Sequence, residues 1–289
     1  MNVWIETLMN GLMLGGLYAL FGLGLSLIFG VMRIANIAHG ELVIGGAFMA
    51  FSIAGAVPLP PIMLVALVTA LMFALGWAVQ SALVNRVLGS DPLRPLLLTF
   101  GLSVLTQNLL VELFGADSRS LDIGSFKTAA LTLGTLSVGL LPLVTFGLTL
   151  LLFALLHWGL HHSAVGRVVR ATADDPEIVA LMGVNRKQVF AGVMALSAAL
   201  AALAGMLLAM RSTVTPFSGA ERLLIAFEVV VIGGLGSIWA SLAGGLALGL
   251  VHAVSFRADP ASGLLYGHIL LLAILLIRPE GLAGKRRTR

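Results

Sequence analysis

The sequence predicts an all-α polytopic membrane protein with about seven to nine membrane segments, some of them interrupted or re-entrant. Three observations predict it. Of the 289 residues 59% are hydrophobic and only 10% charged, whereas a soluble domain carries about 25% charge. The apolar residues fall in blocks of roughly 20, the length of helix that crosses a bilayer core. A single substantial hydrophilic stretch stands among them, residues 161–190, HHSAVGRVVRATADDPEIVALMGVNRKQVF. The chain 1–289 reads as one transmembrane domain with a cytoplasmic loop at about 161–187.

The scarcity of charge excludes a soluble α/β enzyme. The net charge of +4 comes from few charges and a basic tail, which favours a lipid partner over nucleic acid. Cysteine is absent, so there is no disulfide framework and no thiolate metal site. Glycine is abundant, 34 residues, about 12% against an average near 7%. Small residues let membrane helices approach closely.

The apolar blocks fall at about 7–30, 40–57, 62–85, 93–114, 137–160, 188–210, 223–235, 237–256 and 263–278. The N-terminal run has no Lys or Arg before it and is expected to be a retained span rather than a signal peptide. Turn chemistry separates the blocks: Pro58, Pro60 and Pro61, then Asp91-Pro92 and Arg94-Pro95, then Asp259-Pro260. Residues 115–136 form a polar, Gly/Ser/Thr-rich loop. The block 223–235 is too short for a bilayer core about 30 Å thick and ends in Gly233-Gly234-Leu235-Gly236-Ser237, which predicts a broken or re-entrant helix. Residues 30–46, with Arg33, Asn36, His39 and Glu41 between apolar runs, predict a second interruption. Interruptions in both halves point to a translocation path built from an internal repeat. Basic residues set the orientation. Arg33, Arg86, Arg94, the 161–187 loop and the tail Arg278, Lys285, Arg286, Arg287 and Arg289 belong to the cytoplasm. The N-terminus then lies outside.

Within the hydrophilic loop a short helix is legible. Asp175 suits the N-cap, Pro176 the first helical position, Glu177 the positive end of the dipole and Gly183 the left-handed C-cap. Ile178, Val179, Leu181 and Met182 are apolar enough to pack. A helix this short needs a partner surface, so the loop reads either as a docking site or as a solvated connector. Arg167 and Arg170 suit acidic residues of a partner or lipid phosphates.

Other residues have paired readings. Asn36, His39 and Glu41 line a path or gate, or they sit at the membrane edge in local hydrogen bonds. Glu228 lies in an apolar run beside the glycine break, either in the path or at a helix end reaching water. His161 and His162 are expected at the interface. Gly11 and Gly15, and Ser241, Gly245 and Gly249, form small-residue stripes for helix packing. Trp4, Trp77, Trp158 and Trp239 suit interfacial anchors, and Trp239 alternatively fills the bend after Ser237.

The spacing Glu177 to Gly183, with apolar residues between, resembles the cytoplasmic "EAA…G" loop of ABC importer permeases, with Ile178 and Val179 where two alanines are usual. The longer string Gly166 to Asn185, GRVVRATADDPEIVALMGVN, is a closer match and resembles the corresponding loop of the branched-chain amino-acid permeases of the LivH/LivM type. The strings Gly22 to Phe48, Val229 to Leu250 and Arg278 to Leu282 resemble the LivH member, and Ala38-His39-Gly40-Glu41 separates it from the LivM type. Trp239-Ala240-Ser241 replaces a common Gly-containing turn.

The resemblance implies a non-catalytic subunit. It forms the pore with a second permease of the LivM type. Two cytoplasmic ATPases carry ATP and Mg, and a periplasmic or lipid-anchored protein delivers leucine, isoleucine or valine. By this resemblance Gly166, Arg167, Arg170, Asp174, Asp175, Pro176, Glu177, Leu181 and Gly183 couple to the ATPase. Asn36, His39, Glu41, Glu228, Gly233, Gly234 and Gly236 are the path or gate candidates. This chain itself is expected to bind no cofactor or metal and no nucleic acid. It has no phosphate-binding GxxxxGK[ST] loop, no GxSxG elbow and no HExxH pair. Urea or short amides are the alternative cargo. An ion-coupled carrier is the alternative class, though it has no need of a capped helix facing the cytoplasm.

Overall fold

The computed structural model describes residues 2–89, 91–133 and 136–282. The tail residues Lys285, Arg286, Arg287 and Arg289, expected in the cytoplasm, lie outside them. The helices are α1 (Asn2–Met32), α2 (His39–Ala56), α3 (Pro61–Val87), α4 (Leu93–Phe114), α5 (Leu140–His162), α6 (Ala164–Asp174), α7 (Pro176–Leu181), α8 (Arg186–Arg211), α9 (Gly219–Gly233), α10 (Ile238–Ala258) and α11 (Gly263–Ile277). Among the described residues seven helices, α1 to α5, α8 and α10, are long and apolar enough to cross a membrane. Helices α9 and α11 have 15 residues each, about 22 Å at 1.5 Å per residue, short of a bilayer core.

The molecule is built around two helices. The apolar windows of α1 and α8 are 83% and 94% buried, against 11% for α4, so α4 turns most of its surface outward. Helix α10 lies along α1 because the two predicted stripes of small residues face each other. A Cβ on Gly15 would come 2.7 Å from the Gly245 carbonyl, and one on Gly11 2.9 Å from the Ala253 side chain. Lipid supplies no hydrophobic drive between helices, so their attraction is the dispersion gained by this close approach.

The polar stretch 115–136 holds the only sheet among the described residues. After a 3-10 turn at Gly124–Lys127, β1 (Ala130–Leu133) pairs antiparallel with β2 (Leu136–Gly139), Ala130 opposite Gly139. The all-α expectation overlooked this hairpin because four alternating residues per strand leave no pattern distinct from a loop. Arg119 and Val214 tie the stretch to the loop after α8 through backbone bonds of 2.9 and 2.8 Å.

Two bends place the site. Helix α1 ends at Met32, and the next residue, Arg33, has a φ of 55° that turns the chain back on itself. Residues 33–38 are non-helical and return toward the interior, so that His39, opening α2, bonds the carbonyl of Phe21 at 2.9 Å. Phe21 stands about three turns before the end of α1, roughly 16 Å by helical rise. The early interruption is thus a reversal between two helices. The second bend follows α9, where Gly234 (φ 126°) and Gly236 (φ 77°) occupy conformations that side chains resist. Gly236 packs against the Gly30 backbone.

Arg33 at the end of α1 bonds the 161–187 loop at Ala173, and Arg86, Lys187 and Arg278 stand at or beside further contacts between helix ends. These contacts join the C-terminal ends of α1, α3 and α9 to the loop, the start of α8 and the segment after α11. Asn85 donates to the Lys187 carbonyl at 3.2 Å, and the Leu282 amide donates to that of Ile232 at 2.8 Å.

Candidate translocation and coupling sites

The first cluster lies where α2 and α9 begin. Gly40 of α2 packs on the Gly219 carbonyl of α9, and the Glu41 carboxyl fills the space that a side chain on Gly219 would need. Two helix starts therefore meet at one point, each carrying partial positive charge from its unpaired first-turn amides. Glu41 is 2% exposed. Its Oε2 has no hydrogen-bond partner among the described residues, and the carboxylate has no cation paired with it there. Glu41 contributes to the wall of a cavity of about 380 Å³ between α2, α3, α4 and α8, a mostly apolar wall that includes Met49, Met72, Leu102 and Met194 together with Ser52 and Thr106.

Asn36 and His39 do not line that cavity. Both are buried. Asn36 Nδ2 donates to Met194 Sδ at 3.7 Å and its Oδ1 caps the Ala38 amide at 3.1 Å. His39 is held by the Phe21 carbonyl. They shape the crossover that presents Glu41.

Glu228 sits one face away, buried on α9, and accepts a hydrogen bond from His268 of α11. Beside this pair His252 of α10 meets the Tyr18 hydroxyl of α1 at 3.2 Å, and its Nε2 abuts Gly267. A four-helix polar seam results from Tyr18, His252, His268 and Glu228.

The second cluster is the hydrophilic loop. Helix α6 opens on Ser163, whose hydroxyl accepts from the Gly166 amide at 2.8 Å. Gly166 packs against the last carbonyls of α5, where a side chain has no room. Asp175 caps α7, its Oδ1 accepting from Glu177 and Ile178 amides at 2.9 and 3.0 Å. Pro176 is the first helical residue, and Gly183 has φ 85°. Val179 is buried, whereas Leu181 and Met182 are 88% and 77% exposed. Arg167, Asp174 and Glu177 are exposed. Arg170 instead points inward, donating to the Leu160 carbonyl. It lines a cavity of about 510 Å³ together with His157, Gly234, Gly236 and Ser237.

The chain matches, over residues 7–277, the family described as branched-chain amino acid transport system / permease component. It belongs to that family. It is 30% identical, over 98% of its length and 96% of the relative's, to the high-affinity branched-chain amino acid permease BraD of Pseudomonas aeruginosa. The same figures hold for LivH of Escherichia coli K12. A fructose import permease of Rhizobium meliloti, FrcC, is 35% identical over 46% of this chain and 40% of its own. No solved structure matches.

In this permease, then, the charged residues that point into the bundle separate from one another. Arg170 meets Gly234 and Gly236 in one cavity at the loop end, Glu41 stands on the cavity between α2 and α4, and Glu228 belongs to the polar seam. Gly233 has a packing position, pressed on the Ala240 carbonyl of α10. Sequence reasoning missed His252 and His268, although a lone histidine within an apolar run is itself a signal. It read Arg33 as a charge marker and as part of the early interruption, and gave it no partner. Trp239 leans on His157 and Phe153, ring centroids 5.6 and 6.4 Å away, beside the bend after Ser237.

Proposed function

We propose that this permease is the membrane subunit of an ATP-driven importer for leucine, isoleucine and valine. It would form the path with a second permease of the LivM type in a bacterial inner membrane, its N-terminus outside and its C-terminus in the cytoplasm. The whole chain acts as one domain and does no chemistry of its own. ATP and Mg are used by two cytoplasmic ATPase subunits, and a periplasmic or lipid-anchored protein delivers the amino acid.

The observation that carries this reading is α7. It is capped, rigidly ended and outside the spans, yet its Ile178, Leu181 and Met182 are exposed at 57%, 88% and 77%. An apolar surface offered outside the membrane calls for a protein partner. The separate ATPase is the partner that the family resemblance supplies. An ion-coupled carrier has no use for such a handle.

Inside the bundle, Glu41 is the path residue the geometry favours. Its carboxylate has no paired cation, and the apolar cavity beside it suits a branched side chain, so the ammonium group of the cargo would complement it. The test is reconstitution of the full importer in liposomes. Uptake of radiolabelled leucine that needs ATP and the binding protein supports the reading. Uptake by this chain without nucleotide overturns it, and ATP-driven uptake of urea or acetamide but not leucine assigns the alternative cargo.

A further inference from the structure

We propose that Arg33 is a positioning residue that ties the cytoplasmic loop to the α1–α2 reversal, so that displacement of α6 and α7 is passed to the helix start carrying Glu41. The proposal rests on the reading that an ATPase grips the 163–187 loop.

Four observations converge on Arg33. Its φ of 55° is the only positive value at a non-glycine among the described residues. At the left-handed end of a helix glycine is the residue the backbone prefers, so the side chain is what glycine would forfeit. The Arg33 guanidinium Nη2 donates to the Ala173 carbonyl at 3.2 Å, across 140 residues of sequence. That carbonyl belongs to the last turn of α6, where acceptors lack helical partners and a cation complements the dipole. The bond is therefore made at the elbow between α6 and α7. Apolar contact reinforces it, since Val169 and Ala173 of α6 pack on the cluster formed by Val31, Met32 and Met194.

From Arg33 the chain has little slack. The Ile37 amide is held by Thr99 Oγ1 at 3.2 Å, the Ala38 amide by Asn36 Oδ1, and His39 by Phe21. Three residues after Asn36 the helix begins that sets Glu41 against Gly219. A pull on Ala173 thus reaches the meeting point of α2 and α9 through the short non-helical segment 33–38, whose far end is anchored at Ile37, Ala38 and His39.

The test uses the complete importer in liposomes, comparing wild type with Arg33→Gly, Arg33→Ala and Arg33→Lys. Each is read by leucine taken up per ATP hydrolysed and by thermal unfolding in detergent. A tether predicts that Arg33→Gly unfolds no earlier than wild type yet loses about three- to ten-fold in uptake per ATP, the range for one charge-assisted hydrogen bond weakened by its exposure to solvent. Arg33→Lys, which keeps a donor, should recover part of it. A merely conformational role predicts the opposite, with Arg33→Gly coupling as well as wild type, and that result overturns the proposal.

A second variant guards against poor assembly. The chain has no cysteine, so Arg33→Cys with Ala173→Cys can be bridged by a flexible bis-maleimide. The bridge should restore coupling relative to the unbridged pair. Failure to bridge, or a bridged protein still uncoupled, counts against the tether. If wild type itself shows no ATP-driven leucine uptake, the importer reading fails. If wild type transports and Arg33→Gly matches it, only the tether fails.

Discussion

The Glu228 carboxylate of α9 accepts a hydrogen bond from the His268 ring of α11, joining two helices 40 residues apart in sequence. Glu228 is buried at 1% while the His268 side chain is 43% exposed, so the histidine is the partner that reaches the surface. His268→Ala would leave a buried acceptor unsatisfied, at a cost of about 1–3 kcal/mol. It should lower the unfolding temperature in detergent. Glu228→Gln keeps an acceptor for the ring and should preserve membrane levels while lowering transport. Normal uptake by Glu228→Gln would remove this pair from the path.

Gly219 and Glu41 occupy complementary space, since the carboxyl sits where a Cβ would go. Gly219→Ala should be destabilised by about 1–3 kcal/mol, the usual cost of overpacking. The same change in a Glu41→Ala background should cost measurably less. Additive losses in that double-mutant cycle, read by thermal unfolding, would show that the two positions do not touch.

Asp175 and Leu181 separate the making of α7 from its use. Asp175→Ala removes the cap on two amides and should weaken the helix by about 1 kcal/mol. Leu181→Asp alters only an exposed side chain. It should leave the unfolding temperature unchanged and abolish capture of the ATPase subunits in a pull-down. Retained capture by Leu181→Asp would count against α7 as the grip.

Gly249 packs against the Gly15 backbone of α1. Gly249→Leu should force α10 away from α1 and reduce the folded yield severely. Gly55, whose added Cβ would meet nothing within 4 Å, is the control for the general effect of replacing glycine in a helix. Equal yields of Gly249→Leu and Gly55→Leu would argue against close α1–α10 packing.

Much of this was legible in the residues. The spans followed from block length, because a helix in lipid must be about as long as the bilayer is thick. The caps of α7 followed from Asp175, Pro176 and Gly183, because capping is a local matter of three or four residues. The stripes Gly11/Gly15 and Gly245/Gly249 announced close packing, although not that they face each other. The hairpin at 130–139 stayed hidden for want of length, and His252 and His268 because nothing in their neighbourhoods names Tyr18 and Glu228.

The sequence by itself determined membrane spans, loop and cap, since each depends on neighbours along the chain and on the solvent, lipid or water, that surrounds it. Only the tertiary structure decided that Glu41 borders a cavity while His39 and Asn36 do not. It alone paired Arg33 with Ala173, and Glu228 with His268. Those outcomes depend on where the reversal at Arg33 and the bend at Gly234 carry the backbone. Contacts between residues 40 to 140 positions apart are set by the packing of whole helices, to which no local pattern is sensitive.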